Sequence, residues 1–214
     1  MNPIRGVAFD LDGLLIDSES LWAEIHQTVF SRYGIQFTDE HHMEHYIETS
    51  SGTEAVLRRY GLQEHLEEVR QEMNRMRMSY TPKIKLMEGA PELIDALYPY
   101  FPLCIVTYSS REPAEDTCNR LNITAKLKFM VTRFDIQNQK PHPEPYLKAA
   151  ELLGAMPEEC VAFEDAPKGV ISAKKAGMKC IAVPNRWTED GDFSCADLVV
   201  KSLSDVTLEV LENV

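Results

Sequence analysis

The stretch VAFDLDGLLIDSE, residues 7–19, decides the fold of this chain. Its first residues form an apolar run typical of a buried strand. Asp10 and Asp12 stand two residues apart where that strand would end. An aspartate before a glycine also marks ordinary turns, so the stretch alone leaves a plain turn open. Two carboxylates this close repel each other unless solvent or a bound cation lies beside them. The rest of the chain must show whether this stretch is a plain turn or a cation site.

Composition limits the classes of protein to which the chain can belong. Its 214 residues suffice for one large core with a small accessory domain, and its 44% hydrophobic residues are ordinary for a soluble globular protein. No apolar run approaches the roughly 20 residues that span a bilayer, and the N-terminus lacks a signal-peptide layout. We therefore expect a cytoplasmic protein without a membrane partner. The formal net charge of −12, with no basic patch, argues against a nucleic-acid partner.

The five cysteines predict neither a disulfide framework nor a zinc site, because their number is odd and none lie in a C-x-x-C spacing. Cys104, Cys160 and Cys180 lie in or beside apolar runs. We expect them to be buried thiols in the core.

The chain after Pro82 alternates between short apolar strands and helical segments. Strands are predicted at 103–107, 128–132, 160–164, 180–184 and 197–200. This rhythm predicts an α/β fold, a Rossmann-like parallel sheet with helices on both faces. Residues 17–82 have helical periodicity only. The predicted domains are therefore an α/β core, residues 1–16 and 83–214, and an all-helical domain, residues 17–82, inserted after the first strand.

Polar side chains follow four of the predicted strands, and the ends of parallel strands meet at one edge of the sheet. Carboxylates without histidine or cysteine suit Mg²⁺, and a lysine with hydroxyl groups suits a phosphate. A carboxylate at such a site can attack phosphorus, while a second one exchanges protons with the oxygens. The residues that converge are Asp10, Asp12, Thr107–Ser110, Lys140, Glu164 and Asp165.

Four motifs in this order resemble the haloacid dehalogenase superfamily, in the subgroup with a helical cap domain after the first strand. They are DLDG at 10–13, Thr107, Lys140 in KPHPEPY, and Glu164-Asp165 in FEDAPKGV. The sequence also resembles the sugar-phosphate and nucleotide phosphatases of that family, which include pseudouridine-5′-phosphatase-like enzymes, and it resembles β-phosphoglucomutase. The resemblance implies a Mg²⁺-dependent phosphoric monoester hydrolase acting on a small phosphorylated metabolite.

The resemblance also implies roles for single residues. Asp10 would be the nucleophile that forms an aspartyl-phosphate, and Asp12 the general acid and base. Thr107 and Lys140 would bind the transferring phosphoryl group. Ser109 and Ser110 either add phosphate donors or, in the case of at least one of them, cap the following helix.

The implied metal ligands are carboxylates with one backbone group. Asp165 would bind Mg²⁺ directly, and Glu164 directly or through water. Asp10 would contribute its side chain and Asp12 its backbone carbonyl.

Hydrolase and phosphomutase remain open as alternatives, because both use the same core. A β-phosphoglucomutase-like enzyme needs a second phosphate clamp in the cap, for which arginine is suited. The corresponding turn here, TSSG at 49–52, has no basic residue, although Arg58 and Arg59 follow within two turns. We therefore predict net hydrolysis of a sugar phosphate or nucleotide-like phosphomonoester by a monomer or weak homodimer. The intact motifs argue against a catalytically inactive binding protein.

Five other residues permit a functional interpretation. Trp22, on the first helix of the predicted cap, lines a substrate pocket or packs in the core. His142 is expected to face solvent in its loop. His41, His42 and His45 are close enough in sequence to mimic a metal cluster, but neighbouring residues point to different faces of a helix. We expect these three histidines on a solvated surface.

Overall fold

The first strand, β1 (Gly6–Phe9), occupies the centre of a six-stranded parallel sheet in the computed structural model, which describes residues 3–48 and 51–214. The sheet order is β3-β2-β1-β4-β5-β6. From β1 the chain builds β2 and β3 on one side and then returns to add β4 on the other, so the order reverses at β1. Ligand crevices in parallel sheets form at such a reversal. The remaining strands are β2 (Leu103–Val106), β3 (Leu127–Val131), β4 (Cys160–Glu164), β5 (Lys179–Ala182) and β6 (Leu198–Val199).

The chain divides into two units, which we call the core unit (Met1–Asp17 and Lys85–Val214) and the helical insert (Ser18–Ile84). These limits differ from the boundaries predicted from sequence by one or two residues. In the insert, residues at four-residue spacing on the first helix, such as Ile25 and Val29, pack with Val69 and Met73. The helices are α1 (Glu19–Arg32), α2 (Asp39–His42), which continues into a π-helical segment (Met43–Glu48), α3 (Gly52–Arg59) and α4 (Leu66–Tyr80).

The core unit buries both faces of its sheet, as its almost continuous apolar strands require. Ala8, Cys104 and Ala162 face a cluster that includes residues of the two helices following β3 and β4. Phe9 and Phe163, on the opposite face by strand alternation, stack with ring centroids 4.9 Å apart. The predicted α/β fold is confirmed. The helices of this unit are α5 (Ala90–Leu97), α6 (Arg111–Arg120), α7 (Glu144–Leu153), α8 (Pro167–Ala176) and α9 (Leu208–Asn213).

The last helix is shorter than the sequence predicts. The stretch SDVTLEVLEN, residues 204–213, predicts a single final helix capped by Ser204, whereas α9 begins at Leu208. The hydroxyl of Ser202 accepts from the Ser204 N–H and caps a short 3₁₀ turn, and the hydroxyl of Thr207 accepts from the Val210 N–H and caps α9. Two hydroxyl caps in one segment divide it into two short elements.

Cys104, Cys160 and Cys180 are buried free thiols, as predicted, and Cys118 is buried as well. Among residues 3–48 and 51–214, none of the helices combines the length and the apolar character needed to cross a bilayer.

Candidate active site

The loop after β1 brings Asp10 and Asp12 to the carboxyl edge of the sheet. The Gly13 N–H donates to the Ile16 carbonyl at 2.9 Å, which closes a tight turn. Gly13 has φ +87°, and a Cβ atom there would lie 2.4 Å from Asp165 Oδ2. Glycine is therefore required twice, by backbone conformation and by the close approach of Asp165.

Lys140 connects three strands at this edge. Its ammonium group donates to Asp10 Oδ1 at 2.5 Å, to Glu164 Oε1 at 2.6 Å and to the Val106 carbonyl at 2.9 Å. The side chains of Lys140, Asp10 and Glu164 are only 10%, 11% and 2% exposed. The structure thus brings together groups that are far apart in sequence, as the strand-end argument predicted.

Burial and charge shift the ionisation of this cluster. Burial raises the pKa of Asp10 above the ordinary carboxyl range, the nearby Glu164 and Asp12 add to the rise, and Lys140 opposes it. Burial by itself lowers the pKa of Lys140, but the carboxylates of Asp10 and Glu164 outweigh it and raise the pKa above its usual value. One lysine therefore does not compensate all of the negative charge here, and a further cation would stabilise the ionised carboxylates.

Three buried carboxylates form a group that fits a divalent metal ion. Asp10, Glu164 and Asp165 each offer an oxygen, and these atoms lie within 4.8 Å of one another. All the donors are hard carboxylate oxygens, the type that Mg²⁺ prefers. The predicted ligand roles of these residues and of the Asp12 carbonyl stay predictions.

The Asp12 carboxylate is held by two hydroxyl groups and is not one of the three carboxylates that fit a metal ion. Its Oδ2 accepts from Thr107 Oγ1 at 2.9 Å and from Ser109 Oγ at 2.7 Å. Ser110, not Ser109, stands at the N-cap position of α6, where its side chain makes no capping hydrogen bond, and the Ser109 hydroxyl donates to Asp12. Phosphate binding by Thr107, Ser109 and Lys140 stays a prediction.

Sequence reasoning missed two residues that support the site. Asn185 Nδ2 donates to the Gly13 carbonyl and to Asp165 Oδ2, both at 2.9 Å, and so ties the β1 loop to the β4 loop. The hydroxyl of buried Tyr146 donates to Glu164 Oε1. Asn185 follows β5 at the same sheet edge, a position that could have drawn notice, whereas Tyr146 gives no such signal.

The remaining predicted residues have mixed outcomes. His142 is exposed, as expected, whereas the prediction of solvated histidines is wrong for His42 and His45, which are buried. His42 turns inward because its ring bonds to His26. Trp22 packs against the apolar core of the insert. Thr49 and Ser50, part of the turn used to separate hydrolase from mutase, lie outside the described residues.

Comparison with known proteins agrees with this arrangement. Residues 7–183 match the haloacid dehalogenase-like hydrolase family. Validoxylamine A 7′-phosphate phosphatase of Streptomyces hygroscopicus subsp. limoneus is 31% identical over 209 residues, covering 92% of this chain and 93% of that protein. Hexitol phosphatase A of Escherichia coli K12 is 31% identical over 215 residues, covering 98% and 96%. A putative β-phosphoglucomutase structure from Thermotoga maritima superposes with a TM-score of 0.81 at 27% identity, covering 99% and 100%.

The family match spans most of the chain and contains all four motifs, and two relatives exceed 30% identity over nearly their whole length. The resemblance inferred from sequence is therefore confirmed. This chain belongs to the haloacid dehalogenase superfamily of hydrolases.

Proposed function

We propose that this hydrolase is a Mg²⁺-dependent phosphatase that cleaves a small phosphorylated metabolite through an aspartyl-phosphate on Asp10. The observation that carries the proposal is the meeting of Asp10, Lys140, Glu164 and Asp165 in one buried group beside Asp12. The class of reaction agrees with the phosphatase relatives. A cytoplasmic location and a monomeric or weakly dimeric state belong to the same proposal.

The donor set fits Mg²⁺. When bound by Asp10, Glu164 and Asp165, with the Asp12 carbonyl, the ion would neutralise the carboxylates and a phosphate approaching them. Three acids lie within 4.8 Å of one another and only two of them pair with Lys140, which leaves an excess of negative charge that a divalent cation matches.

The residues of the chain divide the chemistry between them. The Asp10 carboxylate forms a bond to phosphorus as the bond to the leaving oxygen breaks, and Asp12 gives that oxygen a proton. A water molecule then attacks the aspartyl-phosphate, transfers a proton to Asp12 and releases inorganic phosphate and the Asp10 carboxylate. Lys140 remains beside Asp10 throughout and stabilises the charge of the transferring group.

The two arginines of the insert that could clamp a second phosphate are each paired with a glutamate, and this pairing favours hydrolysis over the mutase reaction. Arg58 donates to Glu54 at 2.8 Å, and Arg59 donates to Glu44 at 3.3 Å. Each arginine is therefore already neutralised by a glutamate of its own unit. Both ion pairs are exposed, and exposed ion pairs are weak. The distinction between hydrolase and mutase therefore depends on which products the enzyme forms.

The test is a phosphate-release screen of the full chain over sugar phosphates and nucleotides, with Mg²⁺ and with chelator. We expect Mg²⁺-dependent release of phosphate, and we expect Asp10→Asn to abolish it, since an amide is a poor nucleophile. Phosphorus NMR would follow a hexose 1-phosphate. Conversion to the 6-phosphate without net phosphate release would establish the mutase, and full activity in chelator would overturn the metal's role.

A further inference from the structure

Lys140 reaches the active site from a loop that contains neither helix nor strand. This loop, residues 132–143, connects β3 to α7. The ammonium group of Lys140 nevertheless makes three polar contacts of 2.5, 2.6 and 2.9 Å at the site. A lysine side chain has many rotamers, so the contacts of its head group do not by themselves fix the backbone that carries it. This placement of the ammonium group requires a loop backbone that is itself held in place.

The carboxylate of Glu144 holds the part of the loop that precedes Lys140. Its Oε1 accepts from the Gln137 N–H at 2.7 Å, and its Oε2 accepts from the backbone N–H and the side-chain amide of Asn138, both at 2.8 Å. Because Glu144 is the first residue of α7, the helix fixes the point from which the carboxylate reaches back to the loop. The hydrogen bonds from Gln137 and Asn138 lower the pKa of Glu144. The group is therefore ionised at neutral pH, and an ionised acceptor binds amide donors more strongly than a neutral one.

Helix α8 holds the part of the loop that follows Lys140. The hydroxyl of Ser172, a fully buried residue, donates to the His142 carbonyl at 2.6 Å. The His142 N–H in turn donates to the Gln139 carbonyl at 2.9 Å, which closes a turn around Lys140. Lys140 therefore lies between two anchored points, Asn138 on one side and His142 on the other.

Glu144 serves this loop more than it serves the core of the protein. Its side chain is 29% exposed. Among residues 3–48 and 51–214, the hydrogen bonds of its carboxylate all go to Gln137 and Asn138. Truncation of Glu144 would leave no large apolar cavity, but it would release two consecutive amide groups of the loop. The effect should therefore fall on the loop and on Lys140 rather than on the fold.

We propose that Glu144 is the positioning residue of Lys140: it closes the loop so that the ammonium group meets Asp10 and Glu164. The placement of Lys140 does not depend on the reaction. Its consequence for phosphate binding rests on the proposed function, in which Lys140 stabilises the transferring group. The two parts are therefore measured separately.

The placement of Lys140 is measured by acylation of lysine amines in the full chain with an N-hydroxysuccinimide ester of acetate, followed by peptide mass spectrometry. In the unchanged chain Lys140 should react slowly, because its side chain is only 10% exposed and paired with two carboxylates. We expect Glu144→Ala to raise the rate at Lys140 about 10-fold, since the released loop opens locally. The exposed Lys175 of the same chain is the internal reference and should keep its rate. Glu151→Ala, an exposed glutamate on the same helix, is the matched control and should change neither rate.

The consequence for phosphate is measured by calorimetric titration of the full chain, in Mg²⁺, with inorganic phosphate. We expect Glu144→Ala to weaken phosphate binding about 10-fold, because a charged hydrogen-bond donor is misplaced. Lys140→Ala should weaken it at least as much. In the Lys140→Ala background, Glu144→Ala should cause no further loss, because residues that act through one another are not additive. A purely structural role of Glu144 would give additive losses instead.

Faster acylation confined to Lys140, with a non-additive loss of phosphate affinity, supports the positioning role. Faster acylation of Lys140 in a chain that binds no phosphate also supports it, and counts against the proposed function alone. A folded Glu144→Ala variant in which Lys140 reacts as slowly as in the unchanged chain overturns the positioning role, and so do fully additive losses. If Glu144→Ala does not fold, Glu144→Gln decides by the same acylation rates: it keeps the size of the side chain but turns one acceptor oxygen into a donor, so Lys140 should again react faster.

Discussion

Replacing Gly169 by alanine tests the proposed metal group, because Gly169 lies against the buried carboxylate of Glu164. A Cβ atom at position 169 would lie 2.0 Å from the Glu164 carboxyl carbon. Ordinary contact begins at 3.4 Å, so the carboxyl group must move by about 1.4 Å. That movement disturbs the hydrogen bond from Tyr146 and the ion pair with Lys140.

The expected effect on Mg²⁺ binding can be measured separately from the effect on folding. Mg²⁺ demands oxygen ligands at about 2.0–2.1 Å in near-ideal geometry, so the shifted Glu164 can no longer act as a ligand or hold a bridging water. We expect Mg²⁺ affinity to fall about 10–100-fold. Overpacking costs about 1–3 kcal/mol, and alanine in a helix returns about 1 kcal/mol relative to glycine. The disturbed Tyr146 hydrogen bond costs about 1 kcal/mol more, so the net loss of unfolding free energy is about 1–3 kcal/mol.

Calorimetric titration with Mg²⁺ and urea unfolding measure the two effects separately. Lys175→Ala, an exposed change on the same helix α8, is the matched control and should alter neither. A folded Gly169→Ala variant with unchanged Mg²⁺ affinity would refute the place of Glu164 in the metal group. Glu164 would then act only as an ion-pair partner of Lys140.

Two further predictions concern the supporting residues. Asn185→Ala removes both amide hydrogen bonds to the site; we expect about 1–2 kcal/mol of lost stability and about 10-fold weaker Mg²⁺ binding by calorimetry, and an unchanged affinity would contradict its role in orienting Asp165. Burial holds the pKa of His26 well below its ordinary 6.5, so the unfolded chain takes up a proton that the folded insert refuses as the pH falls. The His26 contribution to stability is full above pH 6.5 and should fall by about 1 kcal/mol between pH 6.5 and 5.5. It is measured as the change, over this window, in the difference in unfolding free energy between the unchanged chain and His26→Asn in urea; His65→Asn, at a partly exposed histidine, should follow the pH profile of the unchanged chain, and a constant difference for His26→Asn would refute the prediction.

The sheet and the strand-end residues could be predicted because both follow from local pattern and topology. A fully buried parallel strand must be apolar throughout, which makes β2 and β4 visible as short apolar runs. Parallel order then forces the residues after each strand to one edge, so Asp10, Lys140 and Asp165 could be grouped without coordinates.

The inward histidine and the supporting residues could not be predicted in this way. Helical periodicity assigns His42 to a face of its helix, but it cannot show that His26, sixteen residues earlier, presents a ring nitrogen to it. Tyr146 looks like one more core aromatic of α7, and only the fold places its hydroxyl on Glu164. Such pairings depend on how distant helices and strands pack against one another, and this packing cannot be predicted from the spacing of residues in the sequence.

The hydroxyl groups of Thr107 and Ser109 give the proposed reaction an order that the motifs alone do not contain. Each hydroxyl has one hydrogen, and each donates it to Asp12 Oδ2. If these hydroxyls also bind the phosphoryl group, as the family resemblance implies, they must first turn away from Asp12. Phosphate binding would then loosen the carboxylate that has to exchange protons with the leaving oxygen and with water. Asp12 would thus be restrained before substrate binds and mobile once it has bound, which couples the acid–base step to occupancy of the phosphate site.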